Sequence, residues 1–233
     1  MKFEKQAVPG ILIRRYKRFL ADIELAGGTV VTAHCANTGS MKQVAEPGSP
    51  VILTVNDNPR RKTRYDWQMI QVNGRWAGIN TAVPNRLLYE GFEYGLVPQF
   101  RGFDSIQMEV PYGSNSRADA VLSSTNGRMY VEAKNVTLVE DECALFPDAV
   151  TARGAKHLTE LSRMVNEGHR AAMFFVSQRM DAECIGIATY IDPHYARCLT
   201  EAVETGVEVI SWRARIMPDE IALDRELPFV MPR

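Results

Sequence analysis

One stretch, Arg117-Ala-Asp119-Ala-Val-Leu-Ser-Ser-Thr-Asn126-Gly127-Arg-Met-Tyr-Val-Glu132-Ala-Lys134, constrains the fold of this chain most. It reads as a strand, a tight turn and a second strand. Asn-Gly between two such runs is the strongest short-range signal for a hairpin with a two-residue type I′ turn. With Asn126 and Gly127 as the turn, Thr125 pairs with Arg128, Val121 falls opposite Glu132, and Asp119 falls opposite Lys134. Opposed residues share a face of the sheet, and so do residues two apart on one strand. Asp119, Glu132 and Lys134 therefore converge. Two carboxylates and a lysine placed this way can hold a divalent cation and stabilise an anionic transition state.

The chain has 233 residues, enough for one large or two small domains with their own cores. Apolar residues make up 45% and charged residues 24%, the composition of a soluble globular protein. No apolar run approaches the length of a membrane span, and the N-terminus has no signal-peptide core, so a cytoplasmic protein without a membrane partner is expected. Cys35, Cys143, Cys184 and Cys198 are scattered without a Cys-x-x-Cys pair. Reduced thiols are expected, rather than disulfides or a zinc site. The net charge of −1 hides an asymmetry: residues 1–84 carry 12 Lys and Arg against 6 Asp and Glu, and the remainder is acidic. Such a split suggests two modules, the first with an anionic partner.

Residues 8–80 look all-β. Ile11–Tyr16, Phe19–Leu25, Thr29–His34, Val51–Val55, Tyr65–Val72 and Trp76–Ile79 are short strands separated by turn residues, including a second Asn-Gly at Asn73-Gly74. Strands this short and closely spaced suit a small OB-like barrel. Pro84-Asn85 marks a boundary, giving domains 1–82 and 83–233, and Asn85 is placed to cap a helix running to Tyr94. Ser105–Val110 is a strand, followed by the hairpin. Thr151 caps a helix with Leu158, Leu161 and Val165 at helical spacing, closed by Gly168. Ala171–Ser177 is an apolar run suited to a central buried strand. A helix from Tyr195 to Glu204 ends at Gly206, and Val207–Trp212 is the last strand. The order after the boundary is α-β-β-β-α-β-α-β.

Three further groups carry chemistry. Arg14, Arg15, Lys17 and Arg18, with Arg60, Arg61, Lys62 and Arg64, hold eight of the twelve cations of the first module, with aromatic residues interleaved. Phosphates attract the cations and unstacked bases attract the aromatics, so this composition suits nucleic acid. Tyr16 and Phe19 themselves are expected in the core. Arg153, Lys156 and His157 share a face at the start of the second helix, where cations oppose the dipole and phosphate contact offers a reason for them. Gln178 closes the buried strand, either entering the cleft or as a satisfied strand end. His34 and Cys35 suit a core or turn role.

Asp on one strand and Glu-x-Lys on the next, inside an αβββαβ frame, resembles the PD-(D/E)xK nuclease superfamily. The resemblance implies that Asp119 and Glu132 ligate Mg²⁺ or Mn²⁺, that the Ala133 carbonyl joins the metal shell, and that Lys134 assists the attacking water. It also implies a helix carboxylate, for which Glu90 is the candidate and Glu93 its rival. Ala118 stands where proline is common.

The whole chain resembles the sugar fermentation stimulation protein (SfsA) family. The matching segments are Arg15–Asp22, Thr32–Met41, Asn58–Lys62, Asn80-Thr81 with Pro84-Asn85, Tyr112 through Asp119, Val131–Leu138, Phe146-Pro-Asp-Ala with Arg153-Gly and Lys156-His157, and Asp192-Pro193. This implies an α+β two-domain protein: an N-terminal OB-like barrel and a C-terminal three-layer α/β domain of PD-(D/E)xK topology. It implies binding of DNA, single- or double-stranded and not sequence-specific, with RNA as a further substrate. The function implied is Mg-dependent phosphodiester hydrolysis; the alternative is a non-catalytic DNA-binding regulator of sugar (maltose) metabolism. A helix-turn-helix is also associated with the family's C-terminal region; here Leu199 to Pro218 reads as helix, turn at Gly206, then an alternating strand.

Overall fold

Turn chemistry cuts the first eighty residues into strands. The computed structural model describes residues 2–3, 6–113 and 116–232. Six strands come first: β1 (Ala7–Tyr16), β2 (Leu20–Leu25), β3 (Val30–Cys35), β4 (Pro50–Val55), β5 (Tyr65–Val72) and β6 (Arg75–Gly78). Residues at positive φ make several of the turns between them, among them Gly27-Gly28 and Asn73-Gly74. The latter is the expected two-residue hairpin, with Val72 opposite Arg75. Strand order is β3-β2-β1-β4-β5-β6, and β3 also pairs with β5. β1–β5 therefore close into an OB-type barrel, with β6 added at β5. Leu12, Ile23, Val51, Leu53, Trp67 and Ile70 fill it. Phe19 is not in that core: it lies just before β2, beside the tight turn at Lys17 and Arg18, and is 46% exposed.

Next come α1 (Val83–Glu93), β7 (Ser105–Tyr112), β8 (Ser116–Ser124), β9 (Gly127–Val136), β10 (Leu138–Glu140), β11 (Cys143–Phe146) and α2 (Ala152–Asn166). They are followed by β12 (Arg170–Ser177), β13 (Cys184–Ile187), α3 (Pro193–Thr205), β14 (Glu208–Met217), β15 (Glu220–Glu226) and β16 (Phe229–Val230). The central sheet runs β15-β14-β12-β9-β8-β7. β12 lies parallel to both β9 and β14, as its unbroken apolar run requires. Alternate residues of β12 serve opposite faces. Met173 and Phe175 pack with Leu158 and Leu161 of α2 and Leu199 of α3. Phe174 and Val176 pack with Leu87 and Leu88 of α1. The result is a three-layer α/β domain. Residues Leu199 to Pro218 form the end of α3, a Gly206 cap at φ +113° and strand β14, so no recognition helix follows the turn.

The β8–β9 hairpin turns one residue earlier than expected. Ser124 pairs with Gly127, and Thr125-Asn126 form the turn. Neither turn residue takes a positive φ, which a type I′ turn requires at both. The Asn126 amide donates to Ser124 Oγ at 3.2 Å, and Gly127 takes the positive φ of +136° just afterwards. The ladder thereby slips by two residues: Val121 faces Tyr130, and the register continues toward Asp119 beside Glu132 rather than Lys134. An even slip keeps every side chain on its face, so the convergence of the three charged residues survives.

Two other expectations are corrected. Asn85 does not cap α1; Ala82 occupies that position without a side-chain cap, and Pro84 occupies the first turn. Asn80 takes up the Ala82 amide instead, at 3.0 Å. The cysteines are not all reduced: β11 and β13 pair in parallel and set Cys143 opposite Cys184, which form a disulfide. These strands belong to a second small sheet, β10-β11-β13-β16, whose members have two to four residues. Segments that short carry too few alternations to be read.

Barrel and α/β domain are tied together beside the open end of the sheet. Gln43 exchanges two hydrogen bonds with the backbone of Val139, at 2.9 and 2.8 Å. Ser40 Oγ and the Met41 amide both donate to Asp148 Oδ2, at 3.0 and 3.1 Å. A Cβ on Gly39 would sit 2.9 Å from both Asp148 oxygens, so this close approach requires glycine. No helix among the described residues is long and apolar enough to cross a membrane.

Candidate active site

The slipped register places Asp119 against the second strand by backbone chemistry. Its Oδ2 accepts a hydrogen bond from the Ala133 amide at 2.8 Å, and its Oδ1 accepts one from Asn85 Nδ2 at 2.8 Å. Glu132 is 3% exposed. Its Oε1 takes Lys134 Nζ at 2.6 Å and a short bond from His157 Nδ1. Arg153 Nε meets His157 Nε2 at 3.2 Å. A guanidinium only donates, so Nε2 is the acceptor and the ring's proton lies on Nδ1, pointing at Glu132. His157 is thus a buried ring that orients Glu132, a role its expected contact with phosphate does not describe.

Burial pushes both carboxylates up, with opposite outcomes. Burial and then the charge of Glu132 hold Asp119 above the usual aspartate range, against the Ala133 amide, Lys134 and Asn85. For Glu132 the burial cost is outweighed by the hydrogen bond from His157 and the charge of Lys134, so its carboxyl lies below the usual range. Two like charges on one face split in this way.

Asn85, Asp119, Glu132, Ala133 and Lys134 line a cavity of about 500 Å³. Asn37, Thr38 and Thr81 of the barrel side form one wall, and Asp148, Thr151 and Arg153 another. Asp192 fixes the second wall: one oxygen caps α3 through the Tyr195 amide at 2.9 Å, and the other takes the Thr151 amide at 2.8 Å. Thr151 in turn caps α2, accepting from the Gly154 amide at 3.1 Å.

The remaining expected residues are distributed unevenly. Glu90 faces Arg86 at 3.8 Å on α1 and is not among the cavity's lining residues. Arg15 donates to the carbonyls of Arg18, Asn37 and Gly39, at 2.8, 3.0 and 3.0 Å. Arg18 donates to the Thr38 carbonyl through Nε and Nη2, at 3.1 and 2.8 Å. Both arginines therefore hold the barrel loop that walls the cavity. Arg14 pairs with Asp22 at 2.8 Å and lies over the Tyr16 ring. Arg61 binds Asp66 bidentately, at 2.9 and 2.7 Å, and His34 approaches the same carboxylate at 3.3 Å. Lys17, Arg60, Lys62 and Arg64 are exposed. Lys156 is exposed on α2. Gln178 is buried and donates to Asn135 Oδ1 at 2.6 Å and to the Asn80 carbonyl at 3.0 Å, which makes it a strand-end tie between the two domains.

Sequence reasoning missed Asn85 and Asp148 as parts of the cavity. Both stand in segments the family resemblance singles out, Pro84-Asn85 and Phe146-Pro-Asp-Ala, and that is the only signal that could have found them. The donor set suits a hard divalent cation. Among the described residues Glu132 Oε2 is buried with no hydrogen-bond partner. Each Asp119 oxygen accepts one hydrogen bond and keeps a further lone pair. No cluster of three or more His, Cys, Asp or Glu is gathered for a metal among the described residues. Two carboxylates and the Ala133 carbonyl are the oxygen donors that hard divalent cations take.

Residues 82–220 match the family described as the sugar fermentation stimulation protein RE domain, and residues 13–79 match the SfsA N-terminal OB domain. A sugar fermentation stimulation protein homolog from Pelobacter propionicus is 53% identical over 224 residues, covering 96% of this chain and 97% of that one. One from Geobacter sulfurreducens is 54% identical over 219 residues, covering 94% of each. The solved structure of Pyrococcus furiosus SfsA, in complex with Ca²⁺, superposes with a TM-score of 0.90 at 28% identity, covering 99% of both chains. The chain belongs to the sugar fermentation stimulation protein (SfsA) family.

Proposed function

We propose that this protein is a metal-dependent nuclease whose barrel helps to grip the nucleic acid. The observation that carries the reading is the placement of Asp119 and Glu132 on one sheet face beside Lys134, with Glu132 Oε2 buried and unpartnered among the described residues. A buried acceptor without a partner is costly, and a bound cation removes that cost. Asp119, Glu132 and the Ala133 carbonyl would hold Mg²⁺ or Mn²⁺. When bound, such an ion supplies an activated water and neutralises charge at phosphorus. The Ca²⁺ complex of the Pyrococcus furiosus relative supports an oxygen-liganded divalent site.

The chain's own residues divide the remaining work. Asn85 and the Ala133 amide fix Asp119. His157, held by Arg153, fixes Glu132. Lys134 brings a positive point charge beside the reacting phosphate and stabilises the anion that develops there. Lys17, Arg60, Lys62 and Arg64 of residues 1–82 offer cations to phosphates, and residues 83–233 carry the chemistry. DNA is the substrate, with RNA as an alternative strand, in the cytoplasm.

The second reading is a non-catalytic DNA-binding regulator of sugar metabolism, whose sugar link comes from the relatives' name, sugar fermentation stimulation protein homolog. The ordered pairing of Glu132 with Lys134 and His157, with Asp119 held beside it by Asn85 and the Ala133 amide, favours catalysis. Incubating labelled single- and double-stranded DNA and RNA with the protein in Mg²⁺, Mn²⁺ or EDTA tests the choice. Cleavage confined to the metal arms supports the nuclease; binding without cleavage in every arm supports the regulator.

A further inference from the structure

A second cavity, of about 440 Å³, lies beside the first. It is lined by Pro111, Ser116, Arg117, Arg153, Lys156 and His157, and no acidic residue occurs among these described lining residues. The first cavity has the opposite character, with the carboxylates of Asp119, Glu132 and Asp148 on its walls. We infer that the second cavity is a phosphate subsite, holding the phosphate of the nucleotide next to the scissile one. The inference rests on the nuclease reading and extends it to how the strand is held.

The two cavities share Arg153 as a lining residue. The His157 ring borders the second and reaches Glu132 of the first through Nδ1. Arg117 stands two residues before Asp119 on β8, so one strand serves both cavities. A chain of nucleotides whose reacting phosphate meets Asp119 and Glu132 passes α2 on this side, where Arg153 and Lys156 line the cavity. Their chemistry suits the task. Arg117 Nη1 donates to the Glu109 carbonyl at 3.0 Å, and Arg153 Nε donates to His157. Each guanidinium is thus held through one of its nitrogens. An arginine has five donors in a planar fork that fits phosphate oxygens. The electrostatics also explain why such a subsite is needed. Carboxylates in the reaction cavity repel a polyanion until a cation arrives, and an adjacent basic cavity offsets that repulsion.

The test measures binding of a fluorescent single-stranded DNA oligonucleotide by anisotropy in EDTA at 50–200 mM salt. Wild type is compared with R117Q, K156Q and R128Q, and Mg²⁺ cleavage by wild type is run in parallel. Arg128 lies at the far end of β9 and serves as the control. Each lost phosphate contact should reduce the salt slope by about 0.7 and weaken binding roughly fivefold at 0.1 M salt. R117Q and K156Q should each show this, and R128Q should match wild type. Wild-type cleavage with R117Q and K156Q slopes equal to wild type would overturn the subsite and leave the nuclease standing. A wild type that neither binds nor cuts would overturn the nuclease reading, and the subsite with it.

Discussion

Asn85 on α1 donates from Nδ2 to Asp119 Oδ1 on β8 at 2.8 Å, so a helix packed on the sheet sets the angle of a carboxylate on one of its inner strands. A partner of this kind typically accounts for 10–100-fold in metal affinity or activity. N85A should therefore weaken Mn²⁺ binding by about that factor in calorimetric titration, while thermal unfolding of the metal-free protein changes little. Equal Mn²⁺ affinity in wild type and N85A would remove Asn85 from the metal shell's support.

His157 should behave as a structural partner of Glu132. Removing it leaves a buried carboxylate with fewer partners, at a cost of about 1–3 kcal/mol. Urea unfolding of H157A should report that loss. H157N presents an amide donor near the position of Nδ1 and should recover part of it. An H157A midpoint equal to wild type would mean that the short Glu132–His157 contact contributes no stability.

The two carboxylates also set the pH dependence. Asp119 must lose its proton to hold a cation, and its carboxyl lies above the usual range because of burial and the nearby charge of Glu132. Mg²⁺ affinity should thus decline on acidification at a higher pH than an ordinary aspartate, near 3.9, would give. The metal-free protein responds in the other direction. An acid whose folded pKa is raised costs stability above that pKa, and the cost fades as pH falls toward the unfolded value. Titrating Mg²⁺ by calorimetry at several pH values checks the first point; affinity constant down to the ordinary aspartate range would contradict it.

The basic segments of the barrel should separate into two classes. Arg61 is engaged by Asp66 at 2.9 and 2.7 Å, whereas Arg60, Lys62 and Arg64 are exposed. R61Q should lower stability by about 1 kcal/mol and leave the salt slope of DNA binding unchanged. The triple variant R60Q/K62Q/R64Q should keep its stability and lose up to about 0.7 of slope per residue. A reversed pattern would assign the phosphate contacts to Arg61.

The disulfide is open to a thiol count. Denatured without reductant, the protein should expose two thiols, Cys35 and Cys198, and four after reduction. A reducing compartment opposes such a bond, so protein trapped directly from cells by acid and alkylation reads its state in place. Four thiols in the unreduced purified protein would remove the Cys143–Cys184 link.

Legibility in the sequence followed the strength of local signals. Long alternating runs and Asn-Gly or Gly-Gly turns revealed the barrel strands, and the apolar run of β12 revealed the centre of the sheet. The face shared by Asp119, Glu132 and Lys134 was legible because a two-residue error in register preserves it. What pairs across the register was not, because Thr125-Asn126 and Asn126-Gly127 both make reasonable turns. Arg15, Arg18 and Arg61 read as phosphate ligands because composition shows charge and not the carbonyls or Asp66 that consume it. The His157–Glu132 contact joins a helix to a strand 25 residues away, a tertiary relation that helical spacing cannot contain.

The most direct measurement is the single-turnover cleavage rate of one labelled DNA strand by wild type, E132Q and K134M, in Mg²⁺ and in EDTA. Catalysis at this site predicts cleavage by wild type in Mg²⁺, none in EDTA, and rates lowered by about 10²-fold or more in both variants. Cleavage that persists in EDTA, or variants that cut as fast as wild type, would contradict a reaction centred on Asp119, Glu132 and Lys134.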